Sequence, residues 1–218
     1  MKSKRILVKI CGLTRVEEAA YVNQYNADLA GMVLFFPKSS RNLTISQAEA
    51  VMHALNPIIQ KVAVVVSPNL EQIRQIEAAG FDYIQIHGEL SSDILSAVHL
   101  PILKAYNVTD MKQYEKYQQY PQIVGYVLDA QEPGSGKTFD WKLAEQIPRD
   151  GKLLFLAGGL NPENVKQAIV QVHPDGVDVS SGVEYDHSVN GSISGRVLSN
   201  PGKDPIKIKR FIENVRSG

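Results

Sequence analysis

The sequence has one cysteine among 218 residues, Cys11, so no disulfide can form within the chain. That fits a reducing compartment. It has no charge imbalance either, with 23 lysines and arginines against 23 aspartates and glutamates. A neutral balance gives no electrostatic footprint for a nucleic-acid or membrane surface. No apolar run reaches the length of a membrane span. The basic start Met1-Lys2-Ser3-Lys4-Arg5 leads into apolar residues that Lys9 interrupts, too short a stretch for a secretory signal. The five histidines, at 53, 87, 99, 173 and 187, lack metal-ligand spacing, so no metal site is indicated. A G-x-G-x-x-G turn is missing after the first apolar run, which removes the usual dinucleotide-binding reading. Gly136-Lys137-Thr138 ends like a phosphate-binding P-loop, but Gln131 stands where the first glycine is needed, so nucleotide hydrolysis is set aside. The expectation is a cytoplasmic protein with neither a nucleic-acid nor a membrane partner.

What is present is an alternation. Short apolar runs predict strands over 6–10, 29–36, 61–66, 83–86, 101–106, 123–128, 153–157 and 176–179. Amphipathic or polar stretches between them predict helices over 16–25, 46–55, 67–79, 91–98, up to about 119, 139–147, 161–172 and 206–215. Thr14 with Glu17 reads as a capping box, Ser46 as a second cap, and Asn161-Pro162 as a cap with proline at the first helical position. Eight strand-helix units with short connections predict a parallel sheet closed into a single (β/α)8 TIM barrel, one domain over 1–218. A doubly wound open sheet is the alternative. The irregular stretch at about 185–203, between strand eight and the last helix, is too long for an ordinary connection and reads as an insertion.

The unusual polar residues fall at the C-terminal ends of the predicted strands, the face where barrel enzymes build their sites. Cys11 ends strand one, two residues from Lys9 and on the same face of the strand. A thiol beside a cation and near a helix start is set up to favour thiolate. A lone cysteine in an apolar strand is more often a small buried hydrophobe. Arg41 lies in the loop after strand two, His87 ends strand four, and Asp129 ends strand six. An acid there is either a proton donor or a loop cap, and the arginine either a solvated residue or a bidentate clamp for a carboxylate. Gly158-Gly159 and Ser180-Ser181-Gly182 end strands seven and eight. Such turns let backbone N–H groups and hydroxyls approach a phosphate beside a helix N-terminus, although each is also an ordinary turn sequence.

Six segments together give the chain a resemblance. They are Lys9-Ile10-Cys11-Gly12-Leu13-Thr14, residues 31–41 ending Ser39-Ser40-Arg41, Ile84-Gln85-Ile86-His87-Gly88, residues 128–130 with 134–141, residues 156–165, and Val177-Asp178-Val179-Ser180-Ser181-Gly182-Val183-Glu184. In order and almost from end to end, they resemble the phosphoribosylanthranilate isomerases of tryptophan biosynthesis. The resemblance implies a cofactor-free barrel enzyme acting on a small phosphorylated substrate by an Amadori rearrangement. It implies Cys11 as general base, Asp129 as general acid, and Arg41 holding the anthranilate carboxylate. Lys9 and His87 would join the substrate site, with Gly158, Gly159, Ser180, Ser181 and Gly182 around the phosphate. A monomer or homodimer is expected. Two departures stand out: the stretch after Glu184 is longer than the family usually has, and Gly202-Lys203-Asp204 resembles a family Gly-x-Lys-Asp element that is shifted and shortened. Ser135 stands where threonine is common.

Two other readings compete. An aminoaldose isomerase of the histidine pathway shares the fold and phosphate binding, but resembles a pair of aspartates rather than Cys11 with Asp129. A non-catalytic barrel that binds a phosphorylated metabolite would have no need for both Cys11 and Asp129.

Overall fold

A computed structural model describes residues 5–107, 114–130, 140–147, 149–186, 192–193, 196–197 and 200–217. Eight strands form its centre: β1 Leu7–Cys11, β2 Leu29–Leu34, β3 Gln60–Val66, β4 Tyr83–His87, β5 Ile102–Asn107, β6 Ile123–Asp129, β7 Leu153–Leu156 and β8 Gly176–Val179. All pair in parallel with their neighbours in sequence, and β8 returns to β1, which closes the sheet into the expected barrel. A two-residue strand, Asn42–Leu43, adds to the edge of β2. The helices are α1 Val16–Gln24, α2 Ile45–Ala54, α3 Leu70–Ala78, α4 Ser92–Ala97, α5 Tyr114–Gln118, α6 Val165–Val172 and α7 Pro205–Arg216, with a 3-10 helix Trp141–Gln146 between β6 and β7.

Strand parity divides the core in two. Residues such as Val8, Ile10, Ile84, Ile86, Val177 and Val179 face outwards and pack under the helices in one large cluster. Residues of the other parity, among them Leu29, Val62, Val64, Leu103, Val127 and Phe155, fill the barrel interior with Cys11. The inward parity therefore also carries Lys9, Gln85, His87, Asp129 and Asp178. Three of them, Lys9, Gln85 and Asp178, are buried polar residues in an otherwise apolar interior.

Several local expectations shift. The box at the start of α1 is built one residue later than expected: Glu18 accepts from the backbone N–H of Thr14 at 2.6 Å and of Arg15 at 3.2 Å, and Glu17 takes no part. The cap of α2 is Thr44, whose hydroxyl accepts from Gln47 N while the Gln47 amide oxygen accepts from Thr44 N, so Ser46 lies inside the helix. β2 stops at Leu34 because Phe35 turns left-handed, φ 56°. α6 starts at Val165, after a turn in which Asn161 and Asn164 bond each other's backbone. The segment expected as a helix from 139 is a 3-10 helix from Trp141, and residue 139 lies outside the described residues. So do residues 131–138, with Gly134, Ser135 and Lys137, and most of the polar segment before α5.

The excursion at 185–203 is not wholly irregular. Ser192–Ile193 and Arg196–Val197 pair as antiparallel strands. At its base Glu184 and Lys203 form an antiparallel bridge. Tyr185 N donates to Gly202 O at 3.1 Å, and Asp204 N to Val183 O at 2.8 Å. Asp204 then caps α7 through the N–H groups of Ile206 and Lys207.

Candidate active site

The C-terminal ends of the strands enclose a cavity of about 380 Å³. Of the residues singled out from sequence, Cys11, Arg41, His87, Asp129, Gly158, Gly159, Ser180 and Ser181 line it. Lys9 and Gly182 do not. Lys9 lies beneath the floor, fully buried. Gly182 packs against the carbonyl of Leu160, so close that a Cβ would overlap it.

Cys11 ends β1 and is 8% exposed. Its partner across the ladder is Gly31 in β2. A Cβ on Gly31 would sit 2.9 Å from the thiol sulfur and 3.1 Å from Lys9 Nζ, so the glycine makes the space in which thiol and ammonium lie side by side. Lys9 Nζ donates to Asp178 Oδ2 at 2.8 Å across the β1–β8 seam. Burial works against the Lys9 charge, yet Asp178 and Cys11 hold its pKa above the ordinary value. The thiolate expected from sequence is not the resting form. Burial raises the Cys11 pKa by more than Lys9 lowers it, and Asp178 raises it further. The nearby cation is already paired with a carboxylate, which the sequence spacing alone did not show.

Asp129 ends β6, three strands around from β1. Burial raises its carboxyl to about 6; the Ala130 N–H, donating to Oδ1 at 2.8 Å, pulls the other way, Asp178 adds to the rise, and Lys9 reduces it. Close to neutrality it exchanges its proton readily, which a general acid requires. Burial, aided by the Lys104 and Lys9 charges, lowers His87 to about 3, so its ring is neutral. Gln85 Nε2 lies 2.8 Å from His87 Nε2. The neutral ring has one donor and one acceptor nitrogen, and the Gln85 amide can meet either with its nitrogen or its oxygen.

Arg41 is not an open clamp. Its Nε and Nη2 donate to Glu184 Oε1 and Oε2 at 2.6 and 2.8 Å. Burial alone would raise Glu184, but Arg41 and Lys203 bring it down to about 2. Three of the five guanidinium N–H bonds remain for a ligand. Gly158 and Gly159 take φ of 77° and 65°, and a Cβ on Gly158 would fall 2.5 Å from Ala130 N, so the β7 turn presses directly on the strand end that carries Asp129. In the turn ahead of α6 Asn161 Oδ1 accepts from Glu163 N and Asn164 N, which occupies those two backbone donors, and the N-cap Asn164 makes no side-chain cap to the helix itself.

Four residues of the site region escaped the sequence reading: Gln85, Asp178, Glu184 and Lys203. Gln85 and Asp178 each sit two residues before a residue that was singled out, and strand parity could have found them. Asp178 Oδ1 is buried without a hydrogen-bond partner, at a residue that reaches the cavity. Glu184 and Lys203 meet only through the base of the excursion, which carries no periodic signal. Among the described residues, no group of three or more His, Cys, Asp or Glu could hold a metal ion, and no helix is long and apolar enough to cross a membrane.

Comparison with known proteins gives the family and the fold. The family model for N-(5'-phosphoribosyl)anthranilate isomerase matches residues 8–191. The isomerase of that name from Nitrosomonas europaea is 39% identical over 220 residues, covering 98% of this chain and 96% of its own. The crystal structure of the Thermotoga maritima isomerase superposes with a TM-score of 0.82 at 33% identity, covering 98% of this chain and all of its own. A further isomerase structure, in complex with reduced 1-(o-carboxyphenylamino)-1-deoxyribulose 5-phosphate, superposes with a TM-score of 0.79 at 32% identity, covering 98% and 100%. The chain belongs to the N-(5'-phosphoribosyl)anthranilate isomerase family.

Proposed function

We infer that this chain converts N-(5-phosphoribosyl)anthranilate to 1-(2-carboxyphenylamino)-1-deoxyribulose 5-phosphate in tryptophan biosynthesis, by general acid–base catalysis and without a cofactor. The observation that carries the reading is that Cys11 and Asp129 open into one cavity from strands three apart, with Arg41 and the glycine and serine turns also lining it. Membership of the family and the resemblance of the six segments support it.

In this reading Asp129 gives its proton to the furanose oxygen as the C1'–O bond breaks, leaving a Schiff base to the anthranilate nitrogen. The Schiff base acidifies the C2' proton, and the Cys11 thiolate removes it. The enolamine so formed loses its 2' hydroxyl proton and gains one at C1', which gives the ketose. Substrate and product are isomers, so no oxidant or reductant enters. The remaining N–H groups of Arg41 take the anthranilate carboxylate, and Gly158, Gly159, Ser180 and Ser181 surround the phosphate. The unpartnered Asp178 Oδ1 suits a ribose hydroxyl. His87, neutral, offers the substrate one ring nitrogen. Lys9 acts from below, through Asp178 and Cys11. The protein is one domain, works in the cytoplasm as a monomer or homodimer, and needs neither nucleic acid nor membrane.

The test is to add purified protein to freshly made N-(5-phosphoribosyl)anthranilate and follow its anthranilate fluorescence against a no-enzyme blank, quantifying free anthranilate from hydrolysis. Enzyme-dependent loss to the aminoketose is expected. No loss above blank with folded protein would overturn the reading.

A further inference from the structure

The arginine in the cavity wall and the serine turn of β8 are joined by a line of polar contacts behind that wall. Glu184 binds Arg41 with both oxygens, and its Oε1 also receives Lys203 Nζ at 3.0 Å. Lys203 Nζ goes on to Ser180 O at 3.1 Å and Ser180 Oγ at 3.3 Å. The three donors of the ammonium are thereby occupied, so Lys203 has none left for a phosphate. Neither Glu184 nor Lys203 lines the cavity, and their side chains are only 7% and 1% exposed.

We propose that Glu184 and Lys203 are positioning residues that fix the distance and orientation between Arg41 and the Ser180 turn, matching the site to a substrate acidic at both ends. The inference rests on the roles given above to Arg41 and Ser180. Its physics is that of one carboxylate between two cations. A two-pronged pair sets the plane of the guanidinium as well as its place. Without the carboxylate, two buried like charges would face each other where water screens them poorly. The line is anchored from outside as well. Lys203 N donates to Glu18 Oε1 at 2.9 Å, and Asn200 Nδ2 to Thr14 Oγ1 at 3.1 Å, which ties the return of the excursion to the turn that follows Cys11.

The test is steady-state kinetics on Glu184→Gln, Lys203→Met and Arg41→Met, with inorganic phosphate as competitive inhibitor. Glu184→Gln is expected to raise KM about tenfold and weaken phosphate inhibition about fivefold, with kcat within about threefold of the parent. Lys203→Met is expected to move the same two quantities in the same direction. The phosphate readout is the sharp one, because the Glu184 side chain reaches the Ser180 turn through Lys203, while its backbone N–H donates to Ser181 O whichever side chain stands there. A lower kcat with unchanged KM and unchanged phosphate inhibition would mean a merely structural role and overturn the proposal. If Arg41→Met raises KM while Glu184→Gln leaves both quantities within about twofold of the parent, the positioning role falls and the arginine's role stands. If Arg41→Met also leaves KM unchanged, the arginine's role falls first and the proposal with it. Glu184→Gln keeps the side-chain volume, so it decides the matter should Lys203→Met fail to fold.

Discussion

Asp129 and Cys11 are displaced in the same direction by burial, and this shapes the pH dependence. With Asp129 at about 6 and Cys11 raised, the pair holds two protons in acid, one near neutrality and none in strong alkali. The productive form has one proton, placed on Asp129 with Cys11 as thiolate, and is the minor arrangement of the one-proton state. Activity should therefore follow the population of that state. We expect kcat/KM to rise with pH to a limb near 6, level off, and fall only as the raised thiol ionises. Asp129→Asn should abolish the limb near 6; a limb that survives belongs to another group, such as the substrate phosphate. Asp129→Asn and Cys11→Ala should each lower turnover at least about a hundredfold with an unchanged circular dichroism spectrum. Near-normal turnover in either variant would remove that residue from the mechanism.

Paired strands matter as much as single residues. Lys9 and Asp178 stand directly opposite each other on β1 and β8, where the sheet closes on itself. Breaking a buried pair by removing one partner strands the other charge, at a cost of about 3–5 kcal/mol. Lys9→Met should lose about that much in urea unfolding, and adding Asp178→Leu should recover most of it. A loss below about 1 kcal/mol would show that the pair does not fasten the seam. Much of this level was legible in the sequence. Eight strands and their order follow from apolar runs such as 61–66, and parity alone aligned Lys9 with Cys11. The helix starts were less legible, because several polar residues in a row can cap and the backbone chooses among them: Glu18 over Glu17, Thr44 over Ser46. Long-range partners were least legible. Nothing local says that Arg41 meets Glu184 across 143 positions, or that Lys9 is already paired with Asp178 while burial raises the Cys11 thiol.

The molecule as a whole is formally uncharged, so it has no net charge with which to draw an anionic substrate from a distance. We expect kcat/KM to change less than about threefold between roughly 20 and 200 mM salt; a steep fall would reveal a long-range field that the sequence does not carry. The bridge between Glu184 and Lys203 has a consequence of another kind. Antiparallel partners stand only about 5 Å apart, so the backbone leaves the barrel and re-enters it at nearly one point. Whatever chain runs between those two points adds little to the entropy of closing the loop, because that entropy grows only slowly with length. The base of the excursion is thus a natural splice point, where a second folded unit could be threaded into the catalyst and report, through Glu184 and Lys203, on whether the site is occupied.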